Sequence, residues 1–306
     1  MKNTLSKITL SVSGVALAFS LSACAGGNGM VYSTDEPTDD TTTSAESSPE
    51  TQDETEDTAS AADTTSDDES KGDADTKYKS EVSAEQALSE LEETEVTTDK
   101  EIQKAIETGE LPKYDRKGQF GSPWLDVDKN GCDTRNDILT RDVRDATIDD
   151  NCKVKAGTLD EPYTGKTVEF KPGQSTQIDH KIPLGYGQTH NAMNKSRDWR
   201  VNYANDPKNL VATDGSANRC RSDSLIVAKV SERTFEKNET SGCDYQESDV
   251  VKHEDGSYYT VYPWITNDSD KFKCEYTADL VHLIHEYEFS ITDLDADAAK
   301  EILSSC

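Results

Sequence analysis

Apolar residues recur with a helical spacing in four stretches of the chain. The first helix is predicted to begin at Ser83, whose side chain can cap it, and its apolar face is Ala87, Leu88 and Leu91. A short helix is predicted around Ile138, Leu139 and Val143. Near the C-terminus, one helix carries the stripe Tyr276, Leu280, Leu283, Ile284 and Tyr287, and the last helix is predicted from the region of Asp293 to Cys306.

Brief β-like runs lie between these helices. Strands are predicted at residues 167–170, 177–180 and 209–213, and the last of them follows the turn Asn205-Asp206-Pro207. Ser216 is then predicted to cap a helix that carries Asn218 and Arg221 on its first turns. We therefore predict an α+β fold with irregular connections, formed by residues 81–306 as one domain.

The N-terminus predicts export. Lys2 and Lys7 precede an apolar run that is shorter than the ~20 residues a bilayer requires, so residues 1–23 are predicted to be a signal peptide. The ending Leu21-Ser22-Ala23-Cys24 resembles a bacterial lipobox, which implies lipidation of Cys24. The protein would then be lipid-anchored on the extracellular face of the cell membrane. An ordinary signal peptide with a free Cys24 is the alternative.

Charge is distributed unevenly along the chain. Residues 24–80 are rich in Thr, Ser, Asp and Glu with few large apolar residues, which predicts a disordered acidic linker. The whole chain carries a net charge of −29, and residues 81–306 carry −18, which disfavours nucleic acid as a partner. Residues 181–222, by contrast, carry seven cations against three aspartates, a local balance of +4. This segment is predicted to be a phosphate track, and a solvated mixed-charge surface is the alternative.

Cysteine usage agrees with export. Beyond Cys24, six cysteines remain, an even set that predicts three disulfides outside the cell. Sequence alone allows fifteen connectivities. Pairing by sequence neighbour is our working hypothesis, and it joins Cys132 with Cys152, Cys220 with Cys243, and Cys274 with Cys306.

Three short motifs carry a family resemblance. They read Asp179-His180-Lys181-Ile182-Pro183-Leu184, Asn205-Asp206-Pro207-Lys208-Asn209-Leu210, and Gly215-Ser216-Ala217-Asn218. The predicted order of strand, loop, strand and helix, with these residues in place, resembles the ββα-metal (His-Me) finger of the secreted HNH endonucleases. The domain of that family also forms the nuclease end of a modification-dependent restriction enzyme. The resemblance extends through YDRKGQFG and CDTRNDIL. It implies an HNH nuclease core with additional helices and with residues 226–257 as an insertion.

Phosphodiester hydrolysis needs a base and a cation, and the motifs offer both. A neutral imidazole is a suitable base near pH 7, which makes His180 the candidate. Asp179 and Asn218 offer the oxygen ligands that a hydrated Mg²⁺ or Mn²⁺ prefers. Asn209 is predicted to orient the His180 ring by accepting from its other N–H. The alternative interpretation of the Asp-His pair is a strand-end histidine with a structural hydrogen bond.

Several arginines are candidates for substrate phosphate. Arg135 and Arg141 match steps of the family pattern, and the others lie in the basic segment as Arg197, Arg200, Arg219 and Arg221. After Asn218, the sequence Arg219-Cys220-Arg221 departs from the K-G-D motif that relatives commonly carry there. Arg221 is predicted to replace the charge of that lysine. His190 is predicted to contact substrate or to be incidental, and His253, His282 and His285 are predicted to be surface or packing residues.

Residues 126–137 form a second candidate metal site. Asp126, Asp128, Asn130 and Asp137 fall at ligand positions of an EF-hand-type loop, and Gly131 allows the sharp turn. A structural Ca²⁺ is therefore a hypothesis here, with a metal-free Asx-turn loop as the alternative.

These observations predict a monomeric, surface-anchored, metal-dependent HNH endonuclease that hydrolyses DNA, or RNA, with low sequence specificity. Two alternatives stay open. One is a catalytically inactive binding module on the same scaffold, and the other is a secreted antibacterial nuclease effector.

Overall fold

The computed structural model describes residues 78–173, 175–230, 243, 250–252 and 256–306. Its helices are α1 (Ala84–Glu93), α2 (Asp99–Thr108), α3 (Arg116–Phe120), α4 (Thr134–Asp142), α5 (Leu184–Thr189), α6 (Arg197–Ala204), α7 (Gly215–Arg221), α8 (Asp270–Glu286) and α9 (Asp293–Ser304). Its strands are β1 (Val96–Thr97), β2 (Val143–Ile148), β3 (Val154–Asp160), β4 (Thr167–Phe170), β5 (Thr176–His180), β6 (Leu210–Asp214), β7 (Val227–Val230), β8 (Val251–Lys252), β9 (Tyr258–Val261) and β10 (Ile291–Thr292). The predicted α+β class is confirmed.

The strands form four small sheets. β2, β3 and β4 form an antiparallel sheet in that order, and β9 pairs antiparallel with both β7 and β8. β5 and β6 form a separate antiparallel pair, and β1 pairs in parallel with β10. Because α7 begins at the residue after β6, the order β5, β6, α7 gives a compact strand–strand–helix unit.

Two predicted details of the helices are wrong. Ser216 does not cap α7, because the helix already begins at Gly215 and the side chain of Asp214 accepts from the backbone N–H groups of Ser216 and Ala217. Val143 does not lie in α4, since the helix ends at Asp142 and Val143 opens β2. The predicted cap at Ser83 is confirmed, with its side chain accepting from the backbone of Gln86 at 3.2 Å.

Two hydrophobic clusters lie on either side of the β5–β6 pair. The larger one includes the apolar stripe of α8, which is buried as predicted, together with Val211 of β6 and Ala217 of α7. The smaller one joins α4 to the β2–β3–β4 sheet and takes in Ile178 of β5 with Leu210 and Ala212 of β6. Successive side chains of a strand point to opposite faces, so the pair contributes to both clusters.

The three disulfides join the neighbours proposed from sequence. Cys132 bonds Cys152, which connects the acidic loop before α4 to the turn between β2 and β3. Cys220 of α7 bonds Cys243, and Cys274 of α8 bonds Cys306. The predicted disulfide-braced fold is confirmed.

Some predictions fall on residues that the structure does not describe. The signal peptide, Cys24 and residues 24–77 of the predicted linker lie outside the described residues, as do His253 and most of the predicted insertion at residues 226–257. Among the described helices, none has the length and apolar character needed to cross a bilayer.

Candidate active site on the β5–β6 hairpin

The site is built on the pairing of two short strands. In the antiparallel register, Asp179 lies opposite Val211 and His180 opposite Leu210. The pairing continues beyond β5, where the backbone N–H of Lys181 donates to the carbonyl of Asn209 at 2.6 Å. Asp179 and His180 are consecutive in a strand, so their side chains leave the hairpin on opposite faces.

Asp179 points toward α7 and is almost fully buried. Its Oδ2 accepts from Arg221 Nη1 at 2.6 Å and from the hydroxyl of Tyr163 at 2.7 Å. Arg221 has no exposed surface, and its guanidinium also donates to the backbone carbonyls of His180 and Lys181. Burial opposes the charged form of Arg221, but the Asp179 carboxylate raises its pKa above the ordinary value. The prediction that Arg221 binds substrate is therefore wrong, because this guanidinium is a buried partner of Asp179.

Two oxygens on this face suit a hard metal ion. Asp179 Oδ1 accepts no hydrogen bond from the described residues. The Asn218 amide nitrogen donates to the side-chain carbonyl of Gln177 at 2.9 Å, which leaves Asn218 Oδ1 without a donor among those residues. The donor chemistry fits a hydrated Mg²⁺ or Mn²⁺. Within the described part of the chain, no three His, Cys, Asp or Glu side chains are grouped to hold a metal, so such an ion would be held weakly.

His180 points to the other face and is bound to the backbone. Its Nε2 lies 2.9 Å from the carbonyl oxygen of Ala204 at the end of α6. A carbonyl can only accept, so Nε2 carries the hydrogen and Nδ1 carries the lone pair. Burial and the positive charge of Arg116 lower the pKa of His180 to about 3. The ring is therefore neutral at pH 7, with the lone pair on Nδ1.

Asn209 does not orient His180, which corrects the prediction. Its side-chain oxygen accepts from the backbone N–H of Ile182 at 2.7 Å, and its amide nitrogen donates to the carbonyl of Ile182 at 3.1 Å. The side chain is fully buried. Asn209 thus fixes the backbone turn that follows His180, and the Ala204 carbonyl holds the ring.

The guanidiniums of four predicted phosphate-binding arginines donate to groups of the protein itself. Arg141 donates to the carbonyls of Pro207 and Leu210, each at 2.7 Å, and to Asp142. Arg135 donates to the carbonyl of Thr176 at 3.3 Å. Arg197 and Arg200 of α6 donate to the carbonyls of Gly118 and Gln119 in α3. These four side chains therefore support the elements around the hairpin.

The predicted phosphate track is largely neutralised. Four of its seven cations bind carboxylates of this chain, and the pairs are Lys181 with Asp279, Lys195 with Glu288, Lys208 with Glu286, and Arg221 with Asp179. Arg219 is exposed and donates to Ser216 Oγ at 3.0 Å. The positive balance of residues 181–222 is thus not displayed as a continuous cationic surface.

The acidic loop brings its four predicted ligand residues together. The amide nitrogen of Asn130 donates to Asp128 at 3.0 Å and to Asp137 at 3.1 Å, and the backbone N–H groups of Asn130 and Gly131 donate to Asp126. Burial raises the pKa of Asp137, and nearby carboxylates add to that rise. These bonds occur both in calcium loops and in metal-free Asx-turn loops, so the Ca²⁺ site stays a prediction.

The other described histidines lie away from the hairpin. His190 is buried, stacks on Tyr186 with ring centroids 3.7 Å apart, and its Nδ1 lies 2.8 Å from the Tyr186 carbonyl. His282 lies 3.0 Å from a carboxylate oxygen of Glu90, in agreement with its predicted packing role. A cavity of about 400 Å³ opens on the far side of β6, lined by Arg141 and Asp279 among others, and it does not include Asp179, His180 or Asn218.

Two residues beside His180 were not among the predicted site residues. The indole of Trp124 stacks on the imidazole with ring centroids 6.0 Å apart and planes 17° apart. The guanidinium carbon of Arg116 lies 5.9 Å from the centroid of the same indole. Arg116 lies within the quoted stretch YDRKGQFG, so the only available signal was an arginine in a motif that the resemblance already covered.

Residues 133–254 match the sequence family described as the C-terminal domain of GmrSD restriction endonucleases. The segment that holds Asp179, His180, Asn209 and Asn218 is therefore similar to a nuclease family. The chain is also 28% identical over 102 residues to an uncharacterized secreted protein of Arthroderma benhamiae. That match covers 33% of this chain and 48% of the fungal protein. No solved structure matches the chain.

Proposed function

We propose that this protein is an extracellular, metal-dependent endonuclease of the HNH type, which hydrolyses phosphodiester bonds in DNA, or RNA, with low sequence specificity. The observation that carries the proposal is the β5–β6–α7 unit, in which a neutral imidazole and two open oxygen donors lie within a segment similar to a restriction endonuclease domain. The three disulfides and the secreted fungal relative support an extracellular setting.

In this proposal His180 is the general base. The Ala204 carbonyl fixes the tautomer, so that Nδ1 can take a proton from a water molecule as the water oxygen bonds to phosphorus. The bond from phosphorus to the 3′-oxygen breaks, which leaves a 5′-phosphate and, after that oxygen takes a proton from solvent, a free 3′-hydroxyl. Asn209 keeps the turn after His180 in place through both of its bonds to Ile182.

Asp179 and Asn218 would hold the divalent ion through their open oxygens. Because Asp179 and His180 leave the hairpin on opposite faces, the substrate phosphate would have to reach both at the end of β5, where the backbone turns. A bound Mg²⁺ or Mn²⁺ would stabilise the negative charge that builds on the phosphate oxygens. Arg221 fixes the direction of the Asp179 carboxylate through the bond to Oδ2. Two protein oxygens and a nearby guanidinium predict weak binding, in the range where the ion is lost to a chelator.

A nuclease assay with matched variants tests the proposal. The full-length protein is incubated with plasmid DNA and with RNA, in Mg²⁺, Mn²⁺, Ca²⁺ or EDTA. We expect cleavage with Mg²⁺ or Mn²⁺, none in EDTA, and a loss of about 10²- to 10⁴-fold in His180→Ala. His285→Ala is the matched control, since this partly exposed histidine lies on α8 away from the hairpin. Equal rates for His180→Ala and the parent would exclude His180 as the base.

One observation favours a second candidate function. The buried ion pair of Arg221 with Asp179 balances the charge of the proposed metal-binding carboxylate, as expected of a scaffold that binds and does not cut. Such a binding module would bind labelled nucleic acid equally well with and without EDTA and would not cleave it under any of the four conditions.

The lipid anchor at Cys24 and a monomeric state complete the proposal. Metabolic labelling with a fatty acid analogue tests the first, with Cys24→Ser as the unlabelled control. Light scattering of the purified protein tests the second.

A further inference from the structure

The two oxygens of the Asp179 carboxylate are bound unequally. Oδ2 accepts from Arg221 Nη1 at 2.6 Å and from the Tyr163 hydroxyl at 2.7 Å, whereas Oδ1 accepts no hydrogen bond from the described residues. Arg221 belongs to α7 and Tyr163 to the turn between β3 and β4, so the two donors reach Oδ2 from different elements. Together they fix the rotation of the carboxyl group. The direction of Oδ1, the oxygen proposed to bind the ion, is fixed with it.

Tyr163 is held in place by backbone bonds that do not involve Asp179. Its side chain is fully buried. Its N–H donates to the buried carboxylate of Glu161 at 3.1 Å. Its carbonyl accepts from the N–H groups of Thr266 and Asn267, each at 2.9 Å. The position of the Tyr163 ring is therefore set by the surrounding fold, and the hydroxyl is presented to Asp179 from a fixed point.

A second tyrosine, Tyr276 of α8, supports the first. The hydroxyls of Tyr163 and Tyr276 lie 2.9 Å apart, and the two rings meet edge to face with centroids 5.5 Å apart. In its ion pair with Arg221, the Asp179 carboxylate can only accept, so the Tyr163 hydroxyl donates its one hydrogen to Asp179. The Tyr163 oxygen must then accept from Tyr276. A chain of two donated hydrogen bonds thus runs from α8 through Tyr163 to the candidate metal ligand.

Burial strengthens this chain of hydrogen bonds. Tyr163, Tyr276 and Arg221 have no exposed surface, and Asp179 is almost fully buried. Hydrogen bonds are electrostatically stronger away from water, and linked hydroxyls polarise one another. A site with only two protein oxygens is also sensitive to the rotation of either one. Partners that orient a metal ligand are typically worth about 10- to 100-fold in metal affinity or activity.

We propose that Tyr163 is a positioning residue of the metal site, whose hydroxyl, held by Tyr276, fixes the rotation of the Asp179 carboxylate so that Oδ1 faces the ion. This inference rests on the proposed metal-dependent function, and it adds two residues that the sequence motifs did not include. The competing interpretation is a structural bond, in which Tyr163 satisfies a buried carboxylate and has no effect on the ion.

Tyr262 supplies a matched control for the loss of a buried hydroxyl. It belongs to the same aromatic cluster, with its ring centroid 5.8 Å from that of Tyr276, and its hydroxyl lies 2.8 Å from Thr277 Oγ1. Tyr163→Phe and Tyr262→Phe each remove one buried hydrogen bond and keep the ring. Both should lower the free energy of unfolding in urea, and only Tyr163→Phe should change the binding of the ion.

Mn²⁺ binding to the full-length protein tests the proposal, with the signal of free Mn²⁺ followed by electron paramagnetic resonance. The chain carries 61 Asp and Glu residues, so the ion at the site is defined as the one bound by the parent and lost in Asn218→Ala. We expect Tyr163→Phe to bind this ion about 10- to 100-fold more weakly. Tyr276→Phe should weaken it by a smaller factor, and Tyr262→Phe should keep the parent affinity.

Two results of this titration overturn the proposal. The first is a folded Tyr163→Phe that binds the Asn218-dependent ion as tightly as the parent. If Tyr163→Phe does not fold, equal affinities for Tyr276→Phe and Tyr262→Phe overturn it instead. A parent that binds no Asn218-dependent ion overturns both the positioning role and the metal-dependent function.

Cleavage of plasmid DNA separates this inference from the proposed function. In Tyr163→Phe the Mn²⁺ concentration that gives half the maximal rate should rise by the same factor as the dissociation constant, and excess Mn²⁺ should restore most of the parent rate. A variant that is slower at every Mn²⁺ concentration, with an unchanged Mn²⁺ requirement, would overturn the positioning role and leave the nuclease proposal in place. Mn²⁺ binding that depends on Tyr163, in a parent that never cleaves, would support the positioning role and reject only the nuclease.

Discussion

The two faces of the β5–β6 hairpin differ in how they satisfy a buried polar side chain. On one face, Asp179 receives an arginine and a tyrosine hydroxyl that belong to the core. On the other face, the buried His180 bonds the backbone carbonyl of Ala204 and lies beside the half-buried Trp124 and Arg116. The first face keeps an ion pair in the interior, and the second keeps a neutral ring there.

This difference shows that two consecutive residues of a strand can have separate surroundings and separate roles. Among the described residues, the side chains of Asp179 and His180 share no hydrogen-bond partner, and Arg221 links the two residues by bonding the carboxylate of one and the carbonyl of the other. A change on the Asp179 face should therefore act first on stability. A change on the His180 face should first alter the binding or cleavage of substrate.

The largest effect on stability is expected from Arg221→Met. Removing the guanidinium leaves the buried Asp179 carboxylate without its charge partner, which costs about 3–5 kcal/mol. The free energy of unfolding from urea titration measures it. Arg219→Met is the matched control on the same helix, because Arg219 is exposed and should change stability by less than about 0.5 kcal/mol. Similar values for the two variants would contradict a charge-pairing role of the Asp179 face.

The disulfide near the His180 face should contribute slightly less. Cys132 and Cys152 are separated by 20 residues, and loss of such a crosslink costs about 3 kcal/mol in the loop-entropy treatment. Cys132→Ser/Cys152→Ser should lower the melting temperature and loosen the acidic loop that follows Trp124. Unchanged melting would show that packing alone holds this loop.

The turn that joins the two faces is tested by Asn209→Ala. Both bonds to Ile182 are lost and buried backbone groups are left unpaired, so we expect a cost of about 1–3 kcal/mol. Nuclease activity should fall as well, since the turn directly follows His180. Asn209→Asp keeps the acceptor for the Ile182 N–H but places a buried carboxylate oxygen against the Ile182 carbonyl, so it should lose at least as much stability as Asn209→Ala, and a smaller loss would contradict the assigned bonds.

The smallest effect is expected in the pH dependence of stability, at the buried His190. Burial lowers the pKa of His190 to about 4, so between pH 6.5 and 4 the unfolded chain binds a proton that the folded chain does not. Stability is therefore lost as the pH falls through this window. His190→Phe keeps the stack on Tyr186, and the parent should lose about 1 kcal/mol more than this variant between pH 7 and pH 5.5. Parallel pH curves from urea titration would show that burial does not lower this pKa.

Much of the secondary structure could be predicted from residue patterns. The cap at Ser83, the strand at Thr167–Phe170 and the apolar stripe of α8 rest on local spacing, which acts the same way in any fold. The errors at Ser216 and Val143 are boundary errors, where a neighbouring residue competes for the same role.

The partners of the candidate site residues were less predictable. Arg221 in sequence is a cation in a basic segment, and only the packing of α7 on β5 places it in the interior against Asp179. The Ala204 carbonyl takes the role predicted for Asn209, because the group that reaches the His180 ring depends on where α6 ends. Trp124 and Arg116 come from residues more than fifty positions before His180, and no local pattern connects them.

The sequence by itself determined several local elements and the residue types of the candidate site, because helical and strand periods, turn residues and short motifs act over a few positions. The tertiary structure decided which cations are buried, which carbonyl holds His180 and which side chains surround it. Those contacts join segments that are distant along the chain, and burial then sets the strength of each charge and hydrogen bond.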